Sequence, residues 1–178
     1  SITSTQSENF TVSQDLTVPY AFFADIFFPD SAPHTSAFFV GDLGFEKFTQ
    51  EVRLVSTSNQ KFEWIVGSFY TNEDGHNIQV LDITPPVDLF FANFPSSYDE
   101  LSFYGTGTYY FTPDFDGSVG IRYSDYNNDV SLEAKGPLVA PIPLTKISDN
   151  VTNWLFNLRY RPSNTMAFYG RIASGYRP

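Results

Sequence analysis

The residues best equipped for chemistry gather in a few places. Glu73, Asp74 and His76 stand almost side by side, with Asp82 and Asp88 further on. Carboxylates beside an imidazole are donors for a metal ion or for the exposed face of a bound ligand. Residues 125–133 (DYNNDVSLE) put oxygen donors at alternate positions, Asp125, Asn127, Asp129, Ser131 and Glu133. That chemistry suits Ca²⁺. The spacing departs from the EF-hand loop, however, with Val130 at its sixth position and Gly136 at its twelfth. For both clusters the plainer reading is a solvated loop, and no metal site is expected. Arg122, Arg159 and Arg171 are the remaining candidates, cations able to meet an anionic ligand.

Covalent catalysis has no footing. His34 and His76 lie in separate segments, and no Gly-x-Ser-x-Gly elbow occurs. Asp99 and Glu100 are adjacent, and on a strand they would point to opposite faces. The chain has no Cys, which removes disulfides, thiolate metal sites and a cysteine nucleophile. No catalytic residue and no cofactor is expected.

These side chains need a frame, and composition narrows it. The chain has 178 residues, 10 Lys+Arg against 20 Asp+Glu, a net charge of -10, 18% aromatic residues and 17% charged residues. It is too apolar and aromatic for disorder. It is too acidic for nucleic acid, which needs a basic footprint. No apolar run approaches the ~20 residues of a helical span. A closed barrel remains open as a way across a membrane, because its strands carry only a weak alternating signal.

Alternation is what the sequence shows. Phe, Tyr, Thr, Ser, Val and Asn abound, which favours pleated strands. Seven strands are predicted, over residues 2–16, 48–55, 61–70, 101–111, 118–124, 152–161 and 166–177. One face carries Phe48, Val52 and Leu54, then Phe62, Trp64, Val66 and Tyr70, with corresponding rows on later strands. The other carries Glu51, Arg53, Glu63, Arg122, Arg159 and Arg171. The short links 56–60, 112–117 and 162–165 alternate with wide gaps at 17–45, 71–99 and 125–150. The wide gaps are read as long loops at one end of the sheet. They hold Phe22-Phe23, Phe27-Phe28, Phe38-Phe39 and Phe90-Phe91. These pairs suit either a ligand platform or loop packing.

Short turns at one end, long loops at the other, and Tyr and Trp at strand ends (Tyr70, Tyr109, Trp154, Tyr160) fit an outer-membrane barrel. Seven strands do not close a barrel, so the chain reads as an arc of a larger one. No basic region followed by an apolar run marks a signal peptide near the start. The alternative is a small soluble antiparallel β-protein, a binding or structural module with one face in a core.

Particular segments resemble the TonB-dependent receptors of Gram-negative outer membranes. FTQEVRLVSTSNQKFEWIVGSFYTNED (48–74) resembles a barrel hairpin of that family, and ELSFYGTGTYYFTPDFDGSVGIRYSD (100–125) a second. MAFYGRIASGYRP (166–178) is similar to its Tyr-x-x-x-Ala-x-Gly-Tyr-Arg-Pro strand, and SITSTQSENFTVSQDLT to an early strand. The resemblance implies an all-β, up-and-down transmembrane barrel of the 22-stranded type, of which residues 1–178 supply about seven strands as a partial barrel domain. It also implies partners: outer-membrane lipid, the rest of the barrel, a plug domain, TonB through an N-terminal box, and a bulky ligand such as a ferric siderophore. No plug, TonB box or closing strand with a terminal aromatic is recognisable here. On this reading Glu73, Asp74, His76, Arg122, Arg159 and Arg171 are the ligand-contact candidates, in loops or facing the lumen.

Overall fold

The computed structural model describes residues 1–58 and 61–175. Its elements are β1 (Ile2–Asp15), α1 (Thr17–Phe27), a 3-10 turn (Pro29–Ser31), β2 (Ser36–Val55), β3 (Phe62–Thr84), β4 (Phe91–Asn93), β5 (Ser96–Thr112), β6 (Phe115–Lys135), β7 (Ile142–Ser163) and β8 (Met166–Ala173). All strand pairings are antiparallel. They form one open sheet in which β1 and β8 lie at opposite edges.

β4 and β5 share the slot between β3 and β6. Ile78 faces Asn93 and Gly75 faces Ser96, so the register runs unbroken through the gap. The interruption falls at Phe94 and Pro95. Pro95 has no N–H to give a ladder, although its carbonyl still accepts from Ser131 N at 3.4 Å. Counted as ribbons, the sheet has the expected seven. The last ends at Ala173, and the expected end at Arg177 lies outside the described residues.

The wide gaps are the main correction. Strand covers 36–45, 71–84, 125–135 and 142–150 within them, and β2, β3, β6 and β7 run 20 to 23 residues. At about 3.3 Å per residue such strands reach about 70 Å, more than twice a hydrocarbon core of about 30 Å. Asn, Asp and Gly are poor strand formers, but the β2, β3 and β6 extensions have a paired neighbour on each side, and that of β7 pairs with β6 along one edge. Cross-strand pairs add to this, as Lys47 Nζ to Glu73 Oε2 at 2.9 Å and Lys146 Nζ to Asp129 Oδ2 at 2.7 Å. Alternation fades there because apolar and polar residues are mixed on both faces of the extension.

Register fixes the two faces. Val66 faces Gly105 on β5, which faces Ile121 on β6, which faces Trp154 on β7. Strictly opposed residues share a face. On that face of β3, the apolar residues Phe62, Trp64, Val66 and Tyr70 are all more than a third exposed. They span residues 62–70, close to the about 9–11 that cross a bilayer in a barrel. Above them the same face turns polar, with Asn72, Asp74 and His76 on β3 and with Asp125, Asn127 and Asp129 on β6. A soluble sandwich would lay a second sheet over such a belt. Among the described residues no layer covers it, and Phe103, Val119, Ile121, Trp154 and Ile172 are 51–65% exposed.

Among the described residues one compact core forms, at the loop end on the opposite face. Ala24, Ala37, Leu81, Ile83 and Leu89 are buried there, with Leu16, Tyr20, Phe28, Phe39, Val87 and Phe90 packed around them. α1, absent from the sequence-based expectation, lies on this cluster through Ala21 and Ala24. Their small side chains let the helix approach the sheet closely. Pro19 is tolerated in its first turn, where the N–H has no partner within the helix. Of the Phe pairs, Phe28, Phe39 and Phe90 pack on the core, whereas Phe22, Phe23, Phe27 and Phe38 stay exposed.

Candidate functional site

The polar face of the sheet is one connected wall of charge and hydroxyl. Glu51, Arg53, Glu63, Arg122, Arg159 and Arg171 all lie on it by register. Tyr104 Oη donates to Glu51 Oε1, and Arg53 Nη1 lies 3.9 Å from the same oxygen. Tyr110 Oη donates to Glu63 at 2.9 Å, and Tyr98 Oη donates to Glu100 at 2.9 Å. Arg122 Nη2 donates to Glu100 Oε1 at 2.8 Å, its Nε to Ser124 Oγ at 3.2 Å, and its guanidinium lies over the Phe69 ring.

At the tight-turn end, Asp116 is 1% exposed and holds two cations. Arg159 Nη2 lies 2.9 Å and Arg161 Nη2 3.0 Å from its Oδ2. Two guanidinia thus share one buried carboxylate, with Glu63 nearby on Tyr110. Of the 10 Lys+Arg in the chain, six lie on this wall: Lys47, Arg53, Arg122, Arg159, Arg161 and Arg171. By the same register the wall carries seven acids, Glu8, Glu51, Glu63, Glu73, Glu100, Asp116 and Asp149, so its charges nearly balance in a chain whose net charge is -10.

The structure separates the acidic candidates. Glu73 belongs to the wall and pairs with Lys47. Asp74 and His76 lie on the opposite face, above the belt, in strand rather than loop. His76 stands opposite Gly44, whose other strand partner is Asn9. Among the described residues no group of three His, Cys, Asp or Glu converges. Residues 125–133 lie along β6, so their alternate oxygens are strung out by about 7 Å per step instead of curling around an ion. Asp99 and Glu100 point apart as expected, Asp99 taking Asn72 Nδ2 at 2.9 Å and Glu100 taking Arg122.

Sequence reasoning missed one polar cluster. His34 Nδ1 lies 2.8 Å from Asp25 Oδ1, and His34 Nε2 lies 3.2 Å from Ser31 Oγ. The order of groups is that of a serine hydrolase relay, but its use here is structural. The imidazole side chain is 0% exposed, and Asp25 Oδ1 also accepts the His34 backbone N–H at 2.7 Å. That backbone bond, followed by the ring contact, holds the Asp25 carboxyl below its usual range. The cluster ties the return segment to α1. Its nine-residue spacing across a helix end gave no periodic signal.

A sheet with a bare apolar belt of bilayer height on one face and an ion-paired wall on the other is a wall segment of a membrane-spanning β-barrel. The chain belongs to the TonB dependent receptor-like β-barrel family, whose model matches residues 3–178. Proteins of this family reside in the outer membrane of Gram-negative bacteria and are transport receptors. The ferric yersiniabactin uptake receptor FyuA from Yersinia pestis superposes with a TM-score of 0.71 at 18% identity, over 82% of this chain and 23% of that one. The chain thus spans about a quarter of that receptor. The ferric-catecholate import receptor Fiu from E. coli K12 aligns over 99% of this chain and 36% of its own at 11% identity, with a TM-score of 0.44, too low to bear on the fold. No curated protein sequence matches.

Proposed function

We propose that this segment forms part of the lumen wall of a receptor that imports a bulky anionic nutrient, such as a ferric siderophore. The observation that carries this reading is the ion-paired wall, with Arg122, Arg159 and Arg171 on it, behind a bilayer-height apolar belt. Such a wall presents fixed hydrogen-bond donors and guanidinium groups to a hydrated, negatively charged cargo. Arg122, Arg159 and Arg171 would meet cargo, with Glu73 further up the same wall. Asp74 and His76, on the other face, would meet it only beyond the rim. The ferric yersiniabactin uptake named for FyuA supports the ligand class.

In this reading the chain works by position and electrostatics, with no bond made or broken. The remaining strands, a plug domain and a TonB box would come from the rest of the receptor, and residues 1–178 would be a partial barrel domain.

The test is uptake of radioactive ferric chelates by cells with and without the parent gene under iron limitation. Loss of uptake of one chelate on deletion, restored by the intact gene, is the expected result. Unchanged uptake of every ferric chelate tried would overturn the iron reading.

A further inference from the structure

We propose that the wall carries a seat for a carboxylate or similar oxyanion, formed across β5, β6, β7 and β8 by Arg122 and Arg171. The two residues line one groove of about 280 Å³, together with Tyr104, Thr106, Asn153 and Ser174. All of these side chains offer hydrogen-bond donors. No carboxylate lines the groove.

Several features make this a place for an anion. Arg122 gives one edge to Glu100, but the guanidinium has five N–H groups and keeps donors free. Arg171 makes no ion pair with any described residue. Among the described residues Glu100 is the one carboxylate paired with either guanidinium, through Arg122. Gly120 forms part of its lining, and a Cβ there would lie 2.9 Å from Thr106 Oγ1 and 3.0 Å from Leu155 Cγ. A side chain at position 120 would crowd that space. The groove also lies directly behind Ile121 and Trp154, which belong to the belt. It therefore sits at bilayer depth on the lumen side, where the fork of a guanidinium can meet a carboxylate with two hydrogen bonds.

The carboxylate has two sources, a small molecule entering the lumen or an acidic side chain from elsewhere in the receptor. The seat deepens the proposed function and rests on the wall facing a lumen. The experiment uses the full-length receptor purified in detergent, with citrate as probe and calorimetry as readout. Arg171→Gln is the cleaner variant because Arg171 pairs with no carboxylate among the described residues; Arg171→Lys keeps the charge, and Lys146→Gln on the other face is the control. A free-ligand seat predicts citrate binding weakened about tenfold or more by Arg171→Gln and Arg122→Gln, and by neither Arg171→Lys nor the control to that extent. A seat already filled from within predicts no citrate binding, with a melting temperature lowered by Arg171→Gln and largely restored by Arg171→Lys. In that case the wild type would lose stability with added sodium chloride and the Gln variant would not. If Arg171→Gln and Arg122→Gln match the control in citrate binding and in salt-dependent melting, the proposal fails. Chelate uptake plays no part in these readouts, so the seat and the transport reading fall separately.

Discussion

Gly67 lies against the ring of Tyr104 on the neighbouring strand. The two are register partners of β3 and β5, and a Cβ on Gly67 would stand 2.6 Å from Tyr104 Oη and 2.8 Å from the Val52 carbonyl. The missing Cβ lets Tyr104 lie across β3 and reach Glu51 on β2. An aromatic ring covering a strand glycine compensates for the packing the glycine lacks.

Gly67→Ala should therefore displace Tyr104 and break its bond to Glu51, at a cost of about 1–3 kcal/mol from overpacking and the lost bond. Tyr104→Phe should cost less, and the two changes together should be less than additive. Thermal unfolding of the full receptor carrying each single change and both would check this.

Asp116→Asn should destabilise the tight-turn end. It leaves Arg159 and Arg161 facing each other without their shared carboxylate. Removal of one member of a buried pair costs about 3–5 kcal/mol. The arginine side chains are 39% and 37% exposed, so water should offset part of this. A lowered melting midpoint that Arg161→Gln partly restores would identify like-charge repulsion as the cause.

Ser102→Ala should leave stability unchanged or raise it slightly. Ser102 is 0% exposed and its Oγ has no partner among the described residues. A buried hydroxyl without a hydrogen bond carries a desolvation cost of about 1–3 kcal/mol, which alanine removes. A lower melting midpoint in the alanine variant would mean that an unseen partner satisfies it.

Acid should loosen the cap. The Asp25 carboxyl is held below its ordinary value of 3.8 by the His34 backbone N–H and ring. A lowered folded value means stabilisation that is complete above 3.8 and lost as pH falls below it, through the lowered value. Proteolysis within residues 16–35 should accelerate over that range with an acid-active protease. Asp25→Asn should show the faster cleavage already at neutral pH and no further acid step there.

Ile121→Lys and Phe103→Lys should impair membrane assembly by about 2–4 kcal/mol each, if placed near the bilayer midplane. Thr106→Lys, on the wall face, should fold with far smaller loss. Detergent-fold stability of the three variants separates the faces.

Much of the frame was legible in the sequence. The seven ribbons, the tight turns and the identity of the two faces follow from period-2 alternation, which is a local consequence of the pleat. Asp99 and Glu100 diverge for the same reason. The extensions of β2, β3, β6 and β7 were not legible, because apolar and polar residues are mixed on both faces while pairing with neighbouring strands still holds the backbone extended. α1 escaped because its two buried alanines make too small a stripe for its helical period to show.

What the sequence determined alone is therefore the alternation, the charge and the absence of thiols, each set by residue type and spacing along one strand. Contacts across strands were decided only by the tertiary structure. Register placed Glu73 on the wall and Asp74 and His76 behind it, put Arg159 and Arg161 on one Asp116, and brought Arg122 and Arg171 to one groove. Strands far apart in the chain meet through backbone pairing, and a shift of one residue would exchange every one of these faces.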